Sequence, residues 1–363
     1  MAKRVGVDKW LFGVTLILVV IGLLMVFSAS AVIAKAHDGS PYHFVLLQSG
    51  YAALGLLAMV LLMKVDYRRY NGPNFVFPAI AVTTLLLLAA FAMRDSHGAH
   101  RWIYLGPISF QPSELAKPIL VFFLAWFLQD RMGSIGSFRS TILPAALPSL
   151  IFIVLILKEP DLGTALVCAT VTALMLFLAG MNWRYLAYAA LAAAPVLYFM
   201  LFRVAWRRER ILAFLNPESD PLGKGFHIIQ SLIAVGTGGL WGRGYMDGVQ
   251  KLFYLPEPHT DYIFANIAEE LGLLGTILVV GLFVALGYRG MRAAILCKDP
   301  FARFLAFGIT ATLIIQAFFN ISVVLALVPT KGITLPLISY GGTSLFFVLA
   351  SLGVLLNITR EVD

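Results

Sequence analysis

The sequence contains few charged residues and almost no cysteine. Asp, Glu, Lys and Arg make up 13% of its 363 residues, about half their share in a typical globular domain, so an ordinary soluble protein is excluded. The two cysteines, Cys168 and Cys297, stand far apart, each in or beside an apolar run. This spacing excludes a disulfide framework and a cysteine-based metal site. We expect both thiols to be buried as small apolar side chains.

The chain is rich in long apolar runs. Hydrophobic residues make up 60% of it, and a transmembrane helix needs roughly 20 apolar residues in succession. We therefore predict an all-α, polytopic integral membrane protein with about ten transmembrane helices. The predicted spans are residues 10–32, 44–63, 74–93, 114–129, 141–157, 162–180, 185–202, 262–288, 304–328 and 343–358. The basic start resembles a signal peptide, but the many later spans favour a retained signal anchor.

Lysine and arginine in the loops predict the orientation. If the N-terminus is cytoplasmic, the inner loops carry more of these residues than the short outer loops, as the positive-inside rule requires. Both termini are then cytoplasmic. The net charge of +8 reflects this bias, and we expect no nucleic acid as a partner. We predict a single transmembrane domain over residues 1–363 with one long extracytoplasmic loop, about 203–261, between helices 7 and 8.

Two shorter outer loops combine ionisable residues with turn residues. "HGAHRWIYLGPISFQPSELAK" places Arg101 before a Gly-Pro turn and places Glu114 and Lys117 at the start of the fourth span. Glu114 and Lys117 are three residues apart, so they share a helix face and can pair. "KEPDLGTAL" crowds a lysine and two acids into a tight turn. That turn fits a solvated hairpin as well as a functional site. Charges at membrane depth usually face a bundle interior or a wet cavity.

The long loop is rich in arginine and glycine. Arg207 and Arg210 precede an amphipathic stretch that suits a membrane surface. The guanidinium fork suits a pyrophosphate, and it suits anionic lipid headgroups equally well. "GTGGLWGRG" lacks the spacing of a nucleotide-binding loop, so we interpret it as flexible backbone beside a substrate groove. Further along, Lys331 is the only charge in "LVPTKGITLPLISYGGTSL".

"LPEPHTDYIFANIAEELG" brings a histidine and several acids to the edge of an apolar run. Asp261 follows Pro258 and Thr260 at the expected start of a helix, where the helix dipole favours an ionised carboxylate and makes it a weak base. Glu269 and Glu270 lie about two and a half turns further along. We expect one of them to pair with a basic residue inside the bundle, because an unpaired charge there is costly.

Five segments carry a resemblance to a known family. "RWIYLGPISFQPSELAK", "PDLGTA", "NPESDPLGKGFHIIQSLIAVGTGGLWGRG", "QKLFYLPEPHTDYIFANIAEELG" and "PTKGITLPLISYGGTS" resemble the signature segments of the SEDS family (shape, elongation, division and sporulation). They occur in the family's order and extend along nearly the whole chain. "HIIQS" is similar to the elongation branch, whereas "QKLFYLPEPHTD" and "PTKGITLPLISYGG" favour the division branch. One departure is Thr343, where serine is common; the hydroxyl is retained.

The resemblance implies a peptidoglycan glycosyltransferase of the bacterial cytoplasmic membrane. Such an enzyme polymerises lipid II into glycan strands at the outer face during division or elongation, releases undecaprenyl pyrophosphate and works with a class B penicillin-binding protein. The family's essential aspartate maps onto Asp261, and its Glu and Lys map onto Glu114 and Lys117. From the chemistry, Asp261 is either the general base or a ligand for a divalent cation, Mg or Mn.

The remaining site residues follow from the same chemistry. Lys117, Arg207, Arg210 and Lys331 are the expected clamp for the pyrophosphate. His259 would orient Asp261 or contact phosphate, and Ser339 and Tyr340 would bind sugar. The predicted substrate-binding set is Arg101, Glu114, Lys117, Arg207, Arg210, His259, Lys331, Ser339 and Tyr340. Two alternatives stay open: a lipid II flippase, and a non-catalytic scaffold for the penicillin-binding protein.

Overall fold

Helices dominate the computed structural model, which describes residues 6–93, 101–105, 108–131, 138–203, 205–223, 225–329 and 332–361. The helices are α1 (Lys9–Asp38), α2 (His43–Lys64), α3 (Pro73–Ala90), α4 (Pro112–Leu128), α5 (Leu143–Lys158), α6 (Leu162–Leu178), α7 (Trp183–Phe202), α8 (Ala205–Leu215), α9 (Phe226–Thr237), α10 (Ile263–Leu296), α11 (Pro300–Val324) and α12 (Gly342–Thr359). Among the described residues the only strands are β1 (Ile103–Leu105) and β2 (Ile108–Phe110), which form an antiparallel hairpin.

The prediction of an all-α, polytopic membrane protein is confirmed. Ten helices, α1–α7 and α10–α12, coincide with the ten predicted spans. Within the described ranges, seven helical stretches are long and apolar enough to cross a membrane: Lys9–Ala36, His43–Lys64, Pro73–Ala90, Phe138–Lys158, Ile263–Leu296, Pro300–Val324 and Gly342–Thr359. Leu162–Leu178 and Phe226–Thr237 are shorter apolar helices. Both cysteines are buried and free, as expected. The direction of insertion stays a prediction.

Polar contacts join several helix ends at one face of the bundle, here called the Asp8 end. Asp8 caps α1 by accepting from the N–H groups of Trp10 and Leu11, and its carboxylate lies 2.6 Å from Arg289 Nη2 on α10. The Asp8 N–H donates to Thr359 Oγ1 of α12 at 3.3 Å. Helix caps and an ion pair therefore fix one end of α1, α10 and α12 at the same level.

Helix α10 is broken at Gly272, within a predicted continuous span. Gly272 has φ 66° and ψ −162°, a conformation open essentially to glycine alone. The break leaves backbone groups of α10 without helical partners. Residues 238–250, here called the strap, supply them: the N–H groups of Arg243 and Gly244 donate to the carbonyls of Glu269 and Glu270, each at 3.0 Å. The Leu273 N–H in turn donates to the Gly239 carbonyl at 2.9 Å.

The long outer loop of the prediction is thus partly ordered. It contains α8, α9 and the strap before the chain enters α10. Residues 262–270 are buried, so the first part of α10 lies inside the protein. The part after Gly272 exposes Leu273, Leu274, Ile277 and Leu278, a surface suited to lipid.

Candidate active site

A polar cavity of about 490 Å³ lies where the β1–β2 hairpin, α4, α6 and the start of α10 meet the segment 332–344. Aromatic side chains line it as well, among them Tyr51, Trp102 and Tyr340. Its ionisable lining residues in the described ranges are Arg101, Glu114, Asp161, Arg210, Glu257 and Asp261. The cavity lining therefore combines four carboxylates, two guanidinium groups and several aromatic rings.

Asp261 is held in this cavity through its own backbone and that of its neighbour. The Asp261 carbonyl accepts a hydrogen bond from Asn320 Nδ2 at 2.8 Å, and the same nitrogen donates to the Ile333 carbonyl at 2.6 Å. The Thr260 carbonyl accepts from Ser339 Oγ at 2.6 Å. A Cβ on Gly332 would lie 3.0 Å from Asp261 Oδ2, so glycine lets that backbone approach the carboxylate. The carboxyl group itself stays open to the cavity.

The electrostatics of Asp261 differ from the sequence-based expectation. Helix α10 begins at Ile263, so Asp261 precedes the helix, and its partly buried side chain lines the cavity. Burial raises the pKa of Asp261 to about 7, with further contributions from Glu257 and Asp161; Arg101 and Arg210 only partly offset them. The expectation that a helix dipole keeps this group ionised and weakly basic is wrong, because desolvation and like charges outweigh it.

Glu114 and Lys117 pair at the floor of the cavity, as their spacing predicts. Glu114 Oε2 lies 2.7 Å from Lys117 Nζ, and both side chains are almost fully buried. Lys117 also donates to Gln316 Oε1 at 2.7 Å, and Gln316 Nε2 donates to the Thr334 carbonyl at 3.0 Å. A separate space of about 20 Å³ borders this network. The Lys117 ammonium is therefore engaged with protein groups, and Lys117 is not among the described residues that line the polar cavity.

Arg101 clamps the "EPD" turn between α5 and α6. Its Nε donates to the Glu159 carbonyl at 2.9 Å, and Nη2 donates to the Pro160 carbonyl at 2.5 Å. Asp161 caps α6 by accepting from the Thr164 N–H at 3.0 Å. Glu159 is fully buried, and neither carboxyl oxygen has a hydrogen-bond partner among the described residues. Burial, reinforced by Asp161, raises the pKa of Glu159 to about 8.

The other predicted site residues divide into three groups. Arg210 and Tyr340 line the cavity. His259 packs against Phe44 and Tyr340, with ring centroids 4.6 and 5.6 Å apart, and it is not among the described residues that line the cavity. Ser339 is buried, with its hydroxyl engaged by Thr260 and by the Leu335 N–H. Arg207's side chain and Lys331 lie outside the described part of the chain.

Sequence reasoning missed four polar residues that build the site. Asp161 and Glu257 line the cavity, although both stand in segments singled out for other reasons. On α11, Gln316 accepts a hydrogen bond from Lys117, and Asn320 donates one to the Asp261 carbonyl. Two amides four residues apart inside an apolar span share one helix face. Polar groups at membrane depth indicate a functional site or an internal partner, so the sequence already contained a signal for these two amides.

Glu269 and Glu270 lie apart from the cavity and bind the strap. Glu270 Oε1 is 2.6 Å from Lys251 Nζ, which completes the expected internal ion pair. Ser28 Oγ on α1 donates to the same carboxylate at 2.6 Å. Glu269 accepts from the N–H groups of Val249 and Gln250 at 2.9 and 3.1 Å.

An apolar groove of about 650 Å³ lies beside the first turns of α10. It runs between α9, α10 and α11 and includes Leu240 of the strap. Its lining includes Phe264, Leu273, Ile277 and Ile321. Phe264 lies on the first turn of α10, three residues after Asp261 in the chain, so their Cα atoms are at most about 11 Å apart.

Fold and cavity together define a polytopic membrane protein with a polar, ionisable cavity between its helices. The family model described as "Cell cycle protein", FTSW_RODA_SPOVE, matches residues 8–363. The chain belongs to this family, which confirms the resemblance seen in the sequence.

Similar proteins support the division-type assignment and the class of activity. The "Probable peptidoglycan glycosyltransferase FtsW" of Geobacter metallireducens is 44% identical over 346 residues, covering 94% of this chain and 91% of that protein. "Stage V sporulation protein E" of Bacillus subtilis is 41% identical, covering 99% and 98%. A solved chain described under "Structural coordination of polymerization and crosslinking by a peptidoglycan synthase complex" aligns with TM-score 0.80 at 31% identity, covering 98% of both chains. Thermus thermophilus RodA aligns with TM-score 0.70 at 29% identity, covering 98% of this chain and 97% of that chain.

Proposed function

We propose that this protein is a peptidoglycan glycosyltransferase that polymerises lipid II into glycan strands at the outer face of the bacterial cytoplasmic membrane. The observation that carries the proposal is Asp261: a carboxylate in a polar cavity at the membrane boundary, with a pKa of about 7. Family membership and the names of the relatives support the reaction class. Division is the favoured setting, because the FtsW relatives are more similar to this chain than RodA is.

Asp261 acts in this proposal as the general base. It takes the proton of the acceptor sugar hydroxyl while that oxygen bonds to the anomeric carbon of the donor. The bond from this carbon to the pyrophosphate breaks, and undecaprenyl pyrophosphate leaves. A base is most effective when its pKa is close to the working pH, and burial brings Asp261 there.

Arg101 and Arg210 are the described cations that bind the leaving pyrophosphate in this proposal. Both line the cavity with Asp261, and a guanidinium group donates two parallel hydrogen bonds to phosphate oxygens. Arg207 and Lys331 remain predicted members of the same clamp. Lys117 is better suited to hold Glu114 and Gln316. Tyr340 and Trp102 offer rings on which a sugar can stack.

The prenyl tail requires an apolar path beside the reaction centre. The groove between α9, α10 and α11 has the lining for it, with Phe264, Leu273 and Ile277 on one wall. Phe264 on its wall is only three residues from Asp261 in the chain. We assign the lipid tail of one substrate to this groove.

A divalent cation fits this site only when the phosphates of the bound substrate supply most of its ligands. Among the described residues no three His, Cys, Asp or Glu side chains converge as metal ligands. Mg²⁺ commonly binds one or two carboxylates together with substrate phosphates, and Asp261 would be that carboxylate. Such an ion would neutralise charge on the pyrophosphate; the steps assigned above to protein residues do not depend on it.

The decisive experiment is polymerisation of lipid II by the full-length protein, reconstituted with its partner and with or without Mg²⁺ or Mn²⁺, followed by a gel for glycan strands. Asp261→Asn keeps the shape and removes the base, so polymer should vanish. Asp247→Asn removes an exposed acid of the strap outside the cavity and should polymerise normally. Polymer from the Asp261→Asn protein would show that another residue is the base.

The flippase alternative receives less support from the geometry. A flippase needs a polar route across the membrane, but the separate space beside the Glu114–Lys117 pair holds only about 20 Å³. Its other described walls are mainly apolar, including Val121, Ile309 and Leu313. The scaffold alternative would require that neither the native protein nor Asp247→Asn make polymer.

We further propose a class B penicillin-binding protein as the partner. A solved chain with a similar structure is described under "Structural coordination of polymerization and crosslinking by a peptidoglycan synthase complex". The growing glycan strand would leave Asp261 on the same membrane face as that partner. The polymerisation assay with and without the partner tests this assignment.

A further inference from the structure

Two polar contacts between α1 and α10 mark the thickness of the membrane. At one end Asp8 pairs with Arg289 at 2.6 Å; at the other Ser28 donates to Glu270, also at 2.6 Å. About 20 residues separate the two contacts on each helix, or roughly 30 Å at 1.5 Å per residue. That is the thickness of a bilayer's hydrocarbon core. If the Asp8–Arg289 pair lies at one boundary of the hydrocarbon core, the Ser28–Glu270 contact lies near the opposite boundary.

The strap lies at this boundary. Its N–H groups at Arg243 and Gly244 bond to α10 at Glu269 and Glu270, and the Leu274 N–H reaches back to the Leu240 carbonyl at 3.3 Å. Tyr245 Oη donates to the carbonyl of Leu24 on α1 at 2.9 Å. Leu24 lies about four residues, or 6 Å, closer to the Asp8 end than Ser28. Part of the strap thus reaches into the hydrocarbon zone.

The outer surface of this region is mainly apolar and aromatic; Arg243 and Asp247 are its exposed charged residues. Trp241 is 80% exposed and Leu240 62% exposed, although water would strongly disfavour such a patch. Tyr245 and Met246 are exposed in the strap, as are Leu252, Phe253 and Tyr254 just beyond it. The patch continues onto exposed side chains of the two helices that flank the strap: Val20, Leu24, Leu273, Leu274 and Ile277.

The strap's backbone meets the main requirement for a segment that faces lipid. Unpaired N–H groups are very costly in hydrocarbon, so irregular backbone there must find partners within the protein. Seven of the nine N–H groups from Gly242 to Gln250, all but those of Tyr245 and Gly248, pair with the carbonyls of residues 238, 244, 269 and 270 or with the carboxylates of Glu269 and Glu270. An ordinary aqueous loop has no need of two buried carboxylates as hydrogen-bond acceptors, because water serves that purpose.

We propose that residues 239–254 form a re-entrant segment whose exposed apolar and aromatic side chains are embedded in the lipid leaflet on the Asp261 side. The occupant of the patch is phospholipid: acyl chains beside Leu240 and Met246, and the interfacial layer beside Trp241, Phe253 and Tyr254, where aromatic rings are favoured. The segment leads directly into residues 255–261. It therefore ties the height of Asp261 to the membrane surface, where a lipid-linked substrate presents its polar head.

The test measures collision of a nitroxide label with oxygen, which concentrates in lipid, and with a water-soluble nickel chelate. The full-length protein, with Cys168→Ala and Cys297→Ala, carries one label at Trp241→Cys or at Leu240→Cys. It is placed in vesicles of phosphatidylcholine and phosphatidylglycerol. Leu278→Cys on the exposed face of α10, outside the apolar groove, is the matched lipid control, and Arg69→Cys, exposed beyond the Asp8 end, is the aqueous control.

The label at 241 or 240 should behave like that at 278, with oxygen collisions several-fold above those with the nickel chelate. A chelate-dominated signal like that at 69 would overturn the proposal and make the strap an aqueous loop. Protection from both reagents would overturn it as well, because a protein partner or a second copy would then cover the patch. Since the two label sites are independent and monodispersity is checked first, a fold defect at one position does not decide the result.

Discussion

Removing Lys251 should destabilise the protein far more than removing a neighbouring exposed cation. Lys251 Nζ lies 2.6 Å from Glu270 Oε1 and 2.8 Å from Ser28 Oγ, and its side chain is 3% exposed. Lys251→Met leaves the Glu270 charge buried without a counterion. Breaking a buried pair in this way costs about 3–5 kcal/mol. With an unfolding entropy of about 2.1 cal/mol/K per residue, 1 kcal/mol corresponds to about 1.3 °C in a chain of 363 residues, so the thermal midpoint should fall by roughly 4–7 °C.

The double variant Lys251→Met/Glu270→Gln should recover most of that loss. It removes both charges, and the glutamine oxygen can still accept from the Met246 N–H, which lies 3.0 Å from Glu270 Oε2. Replacing a whole buried pair is often close to neutral. A double-mutant cycle that compares Lys251→Met, Glu270→Gln and the double variant should therefore give a coupling energy of about 3 kcal/mol. This value is at or above the upper range for contacting residues.

The control is Arg243→Met in the same strap. Its Nη1 lies 3.8 Å from Glu269 and its side chain is 40% exposed, so the expected cost is about 0–1 kcal/mol. Unfolding would be followed by thermal shift of the full chain in nanodiscs. If Lys251→Met costs no more than Arg243→Met, or if the effects of the two changes in the double variant simply add, the buried-pair reasoning is refuted.

Three further predictions concern pH and backbone. Polymerisation at limiting lipid II should rise with pH through about 7, because Asp261 must lose its proton to act as a base; a limb below pH 5 would contradict this assignment. Glu159→Gln should keep activity near pH 7. The pKa of Glu159 is about 8 in the folded protein, compared with an ordinary value of 4.5. The protonated side chain therefore stabilises the folded state at low pH, and this stabilisation is lost as pH rises from 4.5 through 8. The variant should therefore gain thermal stability over the native chain at pH 9, and equal midpoints there would argue against a buried neutral acid. Gly272→Ala should sharply reduce the folded yield in size-exclusion chromatography, because alanine does not tolerate φ 66° with ψ −162°; Gly281→Ala, with open space at its Cβ, should not.

The sequence predicts the helices well and the strap poorly, for a physical reason. Hydrophobic length alone identifies α1 and α11, because a lipid environment requires such runs. The break at Gly272 is invisible in that signal, since "EELGLLGTILVV" reads as one apolar run. A glycine in an apolar helix is common in membranes, and only the tertiary contact with residues 239–244 gives this one its conformation.

The site shows the same division. The spacing of Glu114 and Lys117 predicts their ion pair because both lie on one helix. The partner of Glu270 could be predicted as a cation but not as Lys251, which reaches it through irregular backbone. The pKa of Asp261 was predicted in the wrong direction. Its value depends on burial and on Glu257 and Asp161, and Asp161 is distant in sequence.

The irregular backbone around Asp261 explains why so many amide and hydroxyl side chains stand inside apolar helices. Gln48 of α2 donates to the Ser339 carbonyl at 3.0 Å and accepts from the Gly341 N–H at 3.2 Å. Asn320 of α11 likewise donates to the backbone carbonyls of Asp261 and Ile333. A groove open to a sugar cannot be walled by helices alone, and non-helical backbone at membrane depth is tolerated only when protein groups satisfy it. These side chains replace the missing ladder of backbone hydrogen bonds. Losing one would therefore leave buried carbonyls unpaired at a cost of about 1–3 kcal/mol each and move the carboxylate that the proposed reaction requires.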